Sequence, residues 1–292
     1  MTQCKSKTRG GKGARILLRS LRYLALVALA MFLVFPFYYM LIRSFMPVEE
    51  LRLRPMLFFT LNFTLDSWKE IFGAGNYLLY TFNTLKIVVI NCITIPLAAS
   101  FTAYGFAKLK FKGRNFLFAF MLGTMMLPGA IMQVPLYVMF AGMNWLNTSL
   151  PLIIPGMLGG GAMNVFLFRQ FMRGLPKELE EAARVDGANP FIRYAVITLP
   201  LCVPIIIYTI VGTFVAGWGD FYGPLLHMTS VDESKLTLAY AVFKSSMYEN
   251  VGALQEGKRM AAGVFMTLFP ALLFFLFQRQ LVDGIVMNGI KG

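Results

Sequence analysis

Stretches of apolar residues without a charge set the pattern of this chain. Tyr23–Ile42, Ile87–Ala107, Tyr194–Gly219 and Met260–Gln278 run 20, 21, 26 and 19 residues without Asp, Glu, Lys or Arg. That is the length of helix needed to cross a hydrocarbon layer about 30 Å thick. A fifth run, Asn115–Phe168, is 54 residues long, too long for one crossing at any reasonable tilt, so it predicts two spans. Their connection falls at Gly142–Ser149, GMNWLNTS, where turn formers and a tryptophan suit the membrane–water interface. The pattern therefore predicts an all-α integral membrane protein with about six transmembrane helices over residues 23–278. Pro128, Pro135, Pro151 and Pro155 are placed to kink spans three and four, and Gly156 with Gly160 forms a small-x-x-x-small pair suited to close helix packing.

Composition points the same way. With 57% hydrophobic and 14% charged residues, the 292-residue chain holds more apolar surface than one globular core buries, and lipid must be its main solvent. The tail of residues 1–22 carries seven basic residues and no acid. The apolar stretch after it is longer than a signal core and lacks a small-residue cleavage site before Arg43, so the tail reads as a topogenic signal and not a cleaved leader or a nucleic-acid arm. With the N-terminus inside, segments 1–22, 108–114, 169–193 and 279–292 hold 18 Lys and Arg against five acids, and outer segments 43–86 and 219–259 hold nine of each. The whole net charge of +13 then lies on one side, which predicts that both termini, including the tail 279–292, are cytoplasmic.

The chemistry of an enzyme or an ion-coupled carrier is not apparent. A phosphate-cradling G-x-x-x-x-G-K-[ST] loop is missing; Gly10-Gly11-Lys12-Gly13 comes nearest and lacks the hydroxyl residue. The spans offer none of the ionisable residues, inverted repeats or filter motifs that secondary carriers and channels use. His227 has no second histidine or cysteine nearby for a zinc site, and Cys4, Cys92 and Cys202 fall in the inner tail and in spans two and five, where no disulfide is expected. Hydrophilic stretches reach only about 40 residues, close to the lower limit for a separate domain. No catalytic residue, metal or cofactor is therefore expected of this chain, and energy for active transport would come from a partner protein.

The inner loop 169–193, RQFMRGLPKELEEAARVDGANPFIR, is where such a partner would press. Pro176 suits the first turn of a helix, Leu179, Ala182 and Ala183 follow at helical spacing, and Gly187 suits a left-handed end. The expected helix is amphipathic, with Glu180 pairing Arg184 four residues on and a nearly flat apolar side. Glu181-Ala182-Ala183, then Gly187, Ile197 and Leu199-Pro200 resemble the E-A-A…G…I-x-L-P signature of permease subunits in binding-protein-dependent ABC importers. Ala103-Tyr104-Gly105-Phe106-Ala107-Lys108, Pro135-Leu136-Tyr137, Asn147-Thr148 and the ending GIVMNGIKG are similar to the carbohydrate-uptake branch, in particular its small permease of the maltose-transporter type. Trp218-Gly219-Asp220-Phe221 departs from that pattern, in which Asn and Glu follow the tryptophan.

The resemblance implies a type I ABC importer permease fold in the bacterial cytoplasmic (inner) membrane. It implies half of a translocation pathway, completed by a homologous second permease, for a sugar or oligosaccharide delivered by an extracytoplasmic binding protein. Uptake of a non-carbohydrate solute is the alternative. Two cytoplasmic ATPase subunits would bind the ATP and Mg and press on the loop helix, with Glu178, Glu181, Ala182, Ala183, Asp186 and Gly187 as coupling residues. Within the outer loop 219–259, Tyr240, Phe243 and Tyr248 are the expected contacts for the binding protein, aromatic residues in a charge-mixed segment suiting a transient interface.

Overall fold

The structure is a computed structural model that describes residues 11–53, 58–73, 76–248 and 252–289. Those residues are helical or irregular, with no strand among them. In chain order the helices are α1 (Gly11–Ser44), α2 (Val48–Leu53), α3 (Asp66–Phe72), α4 (Tyr77–Lys108), α5 (Arg114–Thr124), α6 (Gly129–Gly142), α7 (Leu150–Met157), α8 (Ala162–Gly174) and α9 (Lys177–Val185). The short α10 (Pro190–Ile192), a π-helical turn (Arg193–Thr198) and α11 (Leu199–Leu201) lead into α12 (Val203–Trp218). After these come α13 (Tyr222–His227), α14 (Leu238–Tyr248) and α15 (Ala253–Gly289).

Among the described residues, four segments are each long and apolar enough to cross a membrane: Ile16–Ser44, Tyr77–Lys108, Leu150–Gly174 and Gln255–Gln280. Two more are sharply bent. α5 and α6 bend by 96° across Met125–Pro128, and Pro190–Leu201 bends by 74° against α12 at Cys202. The six expected crossings correspond to these four single spans plus the two bent pairs, if each pair is counted as one span. Pro128 ends the first break, where its ring disfavours a helical conformation for Leu127. The second break was not expected; Pro200 and Pro204, four residues apart, each withhold an N–H from the helical ladder there. The turn predicted between spans three and four falls at Met143–Ser149, with Asn144 and Asn147 both left-handed (φ 57° and 59°), a conformation asparagine tolerates better than most residues.

Helix lengths also differ from expectation. α4 begins ten residues before Ile87, since Lys86 interrupted the apolar run without interrupting the helix; its ammonium lies 4.3 Å from the centre of the Phe82 ring. α15 continues past Gln278 to Gly289, where a separate tail was expected.

The chain divides into two compact units. The first comprises residues 1–70 and 250–264. Its interior holds Met46, Leu51 and Ser67, together with Arg43, whose fully buried guanidinium donates to Glu256 at 2.5 Å. Gly257 is packed against Ser67 and Leu51 so closely that a β-carbon would collide with both.

The second unit comprises residues 71–249 and 265–292, built around α4. One face of α4, from Ile95 through Ala99 and Ala103 to Tyr104, is buried, and Val165, Phe168, Phe171 and Met172 of α8 join Tyr194, Cys202 and Ile205 in the same core. Gly156 and Gly160 are what let the chain approach α4: a β-carbon on either would lie 2.7 Å from Asn91 or Ile95. Trp218, buried at the end of α12, donates its indole N–H to the Met266 carbonyl at 2.8 Å and lies 4.6 Å from the ring of Phe269.

Candidate functional site

The loop expected to meet a partner folds as α9 and sits at the Lys108 end of α4. Its sequence, KELEEAARV, is almost all strong helix formers, with Glu178 and Glu180 in the first turn and Arg184 in the last, each complementing the helix dipole. Pro176 is the residue before the helix and not within its first turn. At the far end the Ala188 N–H donates to the Ala183 carbonyl at 2.9 Å and the Gly187 N–H to the Arg184 carbonyl at 3.2 Å. With Gly187 at φ +82°, this is a Schellman motif, and it turns the chain sharply. Asn189 then caps the next segment, its side chain accepting from the Ile192 N–H at 2.9 Å.

The side of α9 that faces its own chain is not the one expected. Glu180 does not pair with Arg184. Its carboxylate turns inward, only 13% exposed, to lie 3.2 Å from Lys108 and 3.7 Å from Arg193, and it accepts the Tyr104 hydroxyl at 3.0 Å. Side chains from α4 and from the π-helical turn thus grip one carboxylate. Ala183, three residues on and therefore on the same helix face, is 9% exposed. The flat outward face expected to include Ala183 is formed instead by Leu179, Ala182 and Val185, with Glu178, Glu181 and Asp186 around them. Val185 is 87% exposed, so large an apolar side chain at a helix end being otherwise a liability in water. Sequence reasoning missed both Glu180 and Val185. The available signal was the three-residue spacing of Glu180 and Ala183, which puts the acid on the buried stripe.

At the other end of α4, the segment between α13 and α14 is tied down. The Asn83 side chain donates to the carbonyls of Ser234 and Leu236 at 2.7 and 3.1 Å, and the Thr84 hydroxyl accepts from the Leu238 N–H at 2.8 Å. This docking buries Tyr240 to 7% exposure, and Phe243 stacks on Phe221 with ring centres 4.7 Å apart. Tyr240 is therefore not a free aromatic contact, which corrects the expectation for it, whereas Phe243 is half-buried against Phe221; the side chain of Tyr248 lies outside the described residues. What projects from this end is Asp232, Glu233 and Lys235. His227, beside them, is edge-on to Phe140 at 5.3 Å and stacked on Tyr137 at 6.2 Å. Burial against these rings holds its pKa below the ordinary histidine value, opposed by the charge of Asp220.

A firmly seated surface helix at one end of a bundle of bent apolar spans is what the geometry offers, and comparison with known proteins gives it a family. Residues 94–286 match the model of the family described as binding-protein-dependent transport system inner membrane component. The chain belongs to that family. It is a multi-pass protein of the inner membrane, and its role is transport. It is 32% identical over 268 residues to the arabinooligosaccharides transport system permease protein AraQ of Halalkalibacterium halodurans, covering 90% of this chain and 93% of that one. The lactose transport system permease protein LacG of Rhizobium radiobacter is 28% identical, with 90% and 93% covered. Among solved structures, a bacterial ABC transporter involved in the import of the acidic polysaccharide alginate superposes with a TM-score of 0.80 at 18% identity, covering 95% of this chain and 99% of that one. A complex of a bacterial alginate ABC transporter with its pentasaccharide-bound periplasmic protein superposes at 0.65 and 14% identity, covering 92% and 96%. The shared fold is that of a type I ABC importer permease.

Proposed function

We propose that this chain is one of two permease subunits in an ATP-driven importer of a sugar or oligosaccharide, with α9 as the joint through which the ATPase acts. The observation that carries the reading is the seat of α9. Glu180 is clamped by Tyr104, Lys108 and Arg193 while Leu179, Ala182 and Val185 face outward, so a force applied to that face passes to α4 and to the π-helical turn as to a rigid body. Glu178, Glu181, Ala182 and Asp186 contact the ATPase directly, joined by Val185. Ala183 and Gly187 act by positioning: one packs the helix on its own chain, the other ends it.

Two cytoplasmic ATPase subunits supply the ATP and Mg sites, and this subunit contributes no catalytic group. The excess of basic residues on the α9 side supports cytoplasmic termini. A binding protein docks at the opposite end on Asp232, Glu233 and Lys235, and a homologous second permease covers part of α5 and α6, which bury almost none of their apolar side chains. The sugar assignment rests on the arabinooligosaccharide and lactose permeases to which the chain is similar. Purification through an affinity tag on this chain tests the assembly: an ATPase and a second permease co-purify, and ATP hydrolysis rises when a sugar-loaded binding protein is added. A chain purified without an ATPase, or hydrolysis indifferent to every sugar-loaded binding protein, contradicts the proposal.

A further inference from the structure

The cleft beside α9 carries charge that the chain does not balance. It is about 780 Å³ in volume and is lined by eight Lys or Arg side chains against two carboxylates. Glu180 is already taken by Lys108 and Arg193. That leaves Lys110, Arg114, Arg169, Arg173, Lys177 and Arg184 facing a cleft whose remaining acid is Glu181. Two of these guanidinium groups are fixed by neutral partners: Arg114 donates to the Leu109 carbonyl at 3.1 Å, and Arg169 donates to the Phe106 carbonyl at 3.4 Å while lying 3.9 Å from the centre of the Phe118 ring. Such contacts hold the positive heads in place without neutralising them. A concave array of fixed guanidinium groups is suited to phosphate, which they bind through paired N–H donors.

The surroundings say where that phosphate comes from. A second cleft of about 350 Å³ shares Lys110, Arg114 and Asn115 with the first and is walled by Phe111 and Phe116. Both rings are exposed, as are Leu117 and Phe120 along α5, a helix with no buried residue. A cationic cup thus opens onto an apolar helix face, at the ends of the hydrophobic spans α4 and α8, where lipid headgroups lie. We infer that the cleft binds the phosphate of an anionic phospholipid, with the acyl chains running along Phe116 and Phe120. This goes beyond the transport assignment and holds whichever solute is carried. A free phosphate would use the same cations but not the aromatic wall, and an acidic segment of a cytoplasmic partner would compete for them.

The test uses the full-length chain with its associated subunits, delipidated in detergent and followed by native mass spectrometry. Dioleoylphosphatidylglycerol binds about tenfold or more tightly than dioleoylphosphatidylcholine, since each basic residue near the headgroup adds an appreciable factor. The triple variant Lys110→Gln/Arg173→Gln/Lys177→Gln loses that preference, whereas Lys69→Gln, an exposed cation in the other unit, keeps it. The unmodified protein gives a second reading that needs no variant: the preference shrinks as salt is raised to about 0.5 M. Equal binding of the two lipids, a preference untouched by the triple variant, or one indifferent to salt overturns the inference. So does displacement of the lipid by inorganic phosphate at equal concentration, which makes the site one for a free anion. Retention of phosphatidylglycerol only after the cytoplasmic partner has been stripped away assigns the cleft to that partner and overturns it too.

Discussion

The substitution Glu180→Gln removes one charge from the seat of α9 and leaves its shape. The new amide would still accept the Tyr104 hydroxyl, but Lys108 and Arg193, only 11% and 14% exposed, would lose the carboxylate they share. Breaking a buried ion pair from one side costs about 3–5 kcal/mol. Here the carboxylate keeps 13% exposure and Arg193 stands at 3.7 Å, so the estimate is reduced to about 2–3 kcal/mol. The loss falls on the docking of α9, the helix that this carboxylate ties to α4 and to the π-helical turn. Hydrogen exchange of the α9 amides, measured on the protein in lipid nanodiscs, should therefore lose protection by about 30- to 150-fold, at about 1.4 kcal/mol per tenfold. The amides of α4 and α8 should hardly change. The cycle with Lys108→Met isolates the pair: the coupling energy should exceed about 1 kcal/mol, and the double variant should recover part of the loss. Protection of α9 within about threefold of the parent, or a coupling energy under about 0.5 kcal/mol, would refute the clamped-seat argument.

Other residues give sharper or simpler readings. Glu256→Ala takes the carboxylate from the fully buried Arg43, and because that carboxylate is itself 35% exposed, thermal unfolding in detergent should show a loss of about 1–2 kcal/mol, against almost none for Glu233→Ala on the surface. Gly187→Ala meets open space but must hold φ +82°, so about 1 kcal/mol is lost and sugar uptake by whole cells falls; Gly160→Ala adds collisions with Ile95 and Asn164 to the same strain and should cut the yield of inserted protein further. His227 has a depressed pKa when folded, so it contributes stability above the ordinary histidine value of 6.5, and that contribution is lost as the pH falls below it. The melting temperature should drop between about pH 7.5 and about pH 5.5, a range that spans that value, and His227→Phe should flatten the drop; parallel curves for the two proteins count against this reading.

Number and placement of the spans were legible because lipid leaves a chain few ways to satisfy its backbone, and charge-free runs report that constraint directly. The boundaries were less so. Lys86 ended an apolar run inside a continuous α4 because a long side chain can lie along a ring, here Phe82. The break at Cys202 was missed although Pro200 and Pro204 mark it, since an unbroken apolar run looks the same whether its helix is straight or bent. At α9, the cap at Gly187 was readable because only a left-handed residue ends a helix that way. The direction of Glu180 was not, because Arg184 is a local partner and Lys108 and Arg193 come together only in the folded chain. Tyr240 shows the same limit from the other side: an aromatic residue in a polar loop looked exposed, and it is buried where Asn83 donates to the Ser234 carbonyl and Thr84 accepts from the Leu238 N–H, more than a hundred residues away.

Transport by the reconstituted assembly tests the central claim most directly. Proteoliposomes containing this chain and its co-purifying subunits, with ATP on the α9 side and a radiolabelled oligosaccharide on its binding protein at the other, should accumulate the sugar against its gradient. Accumulation should stop without ATP, and it should stop when a cysteine introduced in place of Val185 is disulfide-linked to the ATPase and return on reduction. Accumulation that continues without any ATPase, or continues with that link in place, would contradict the account.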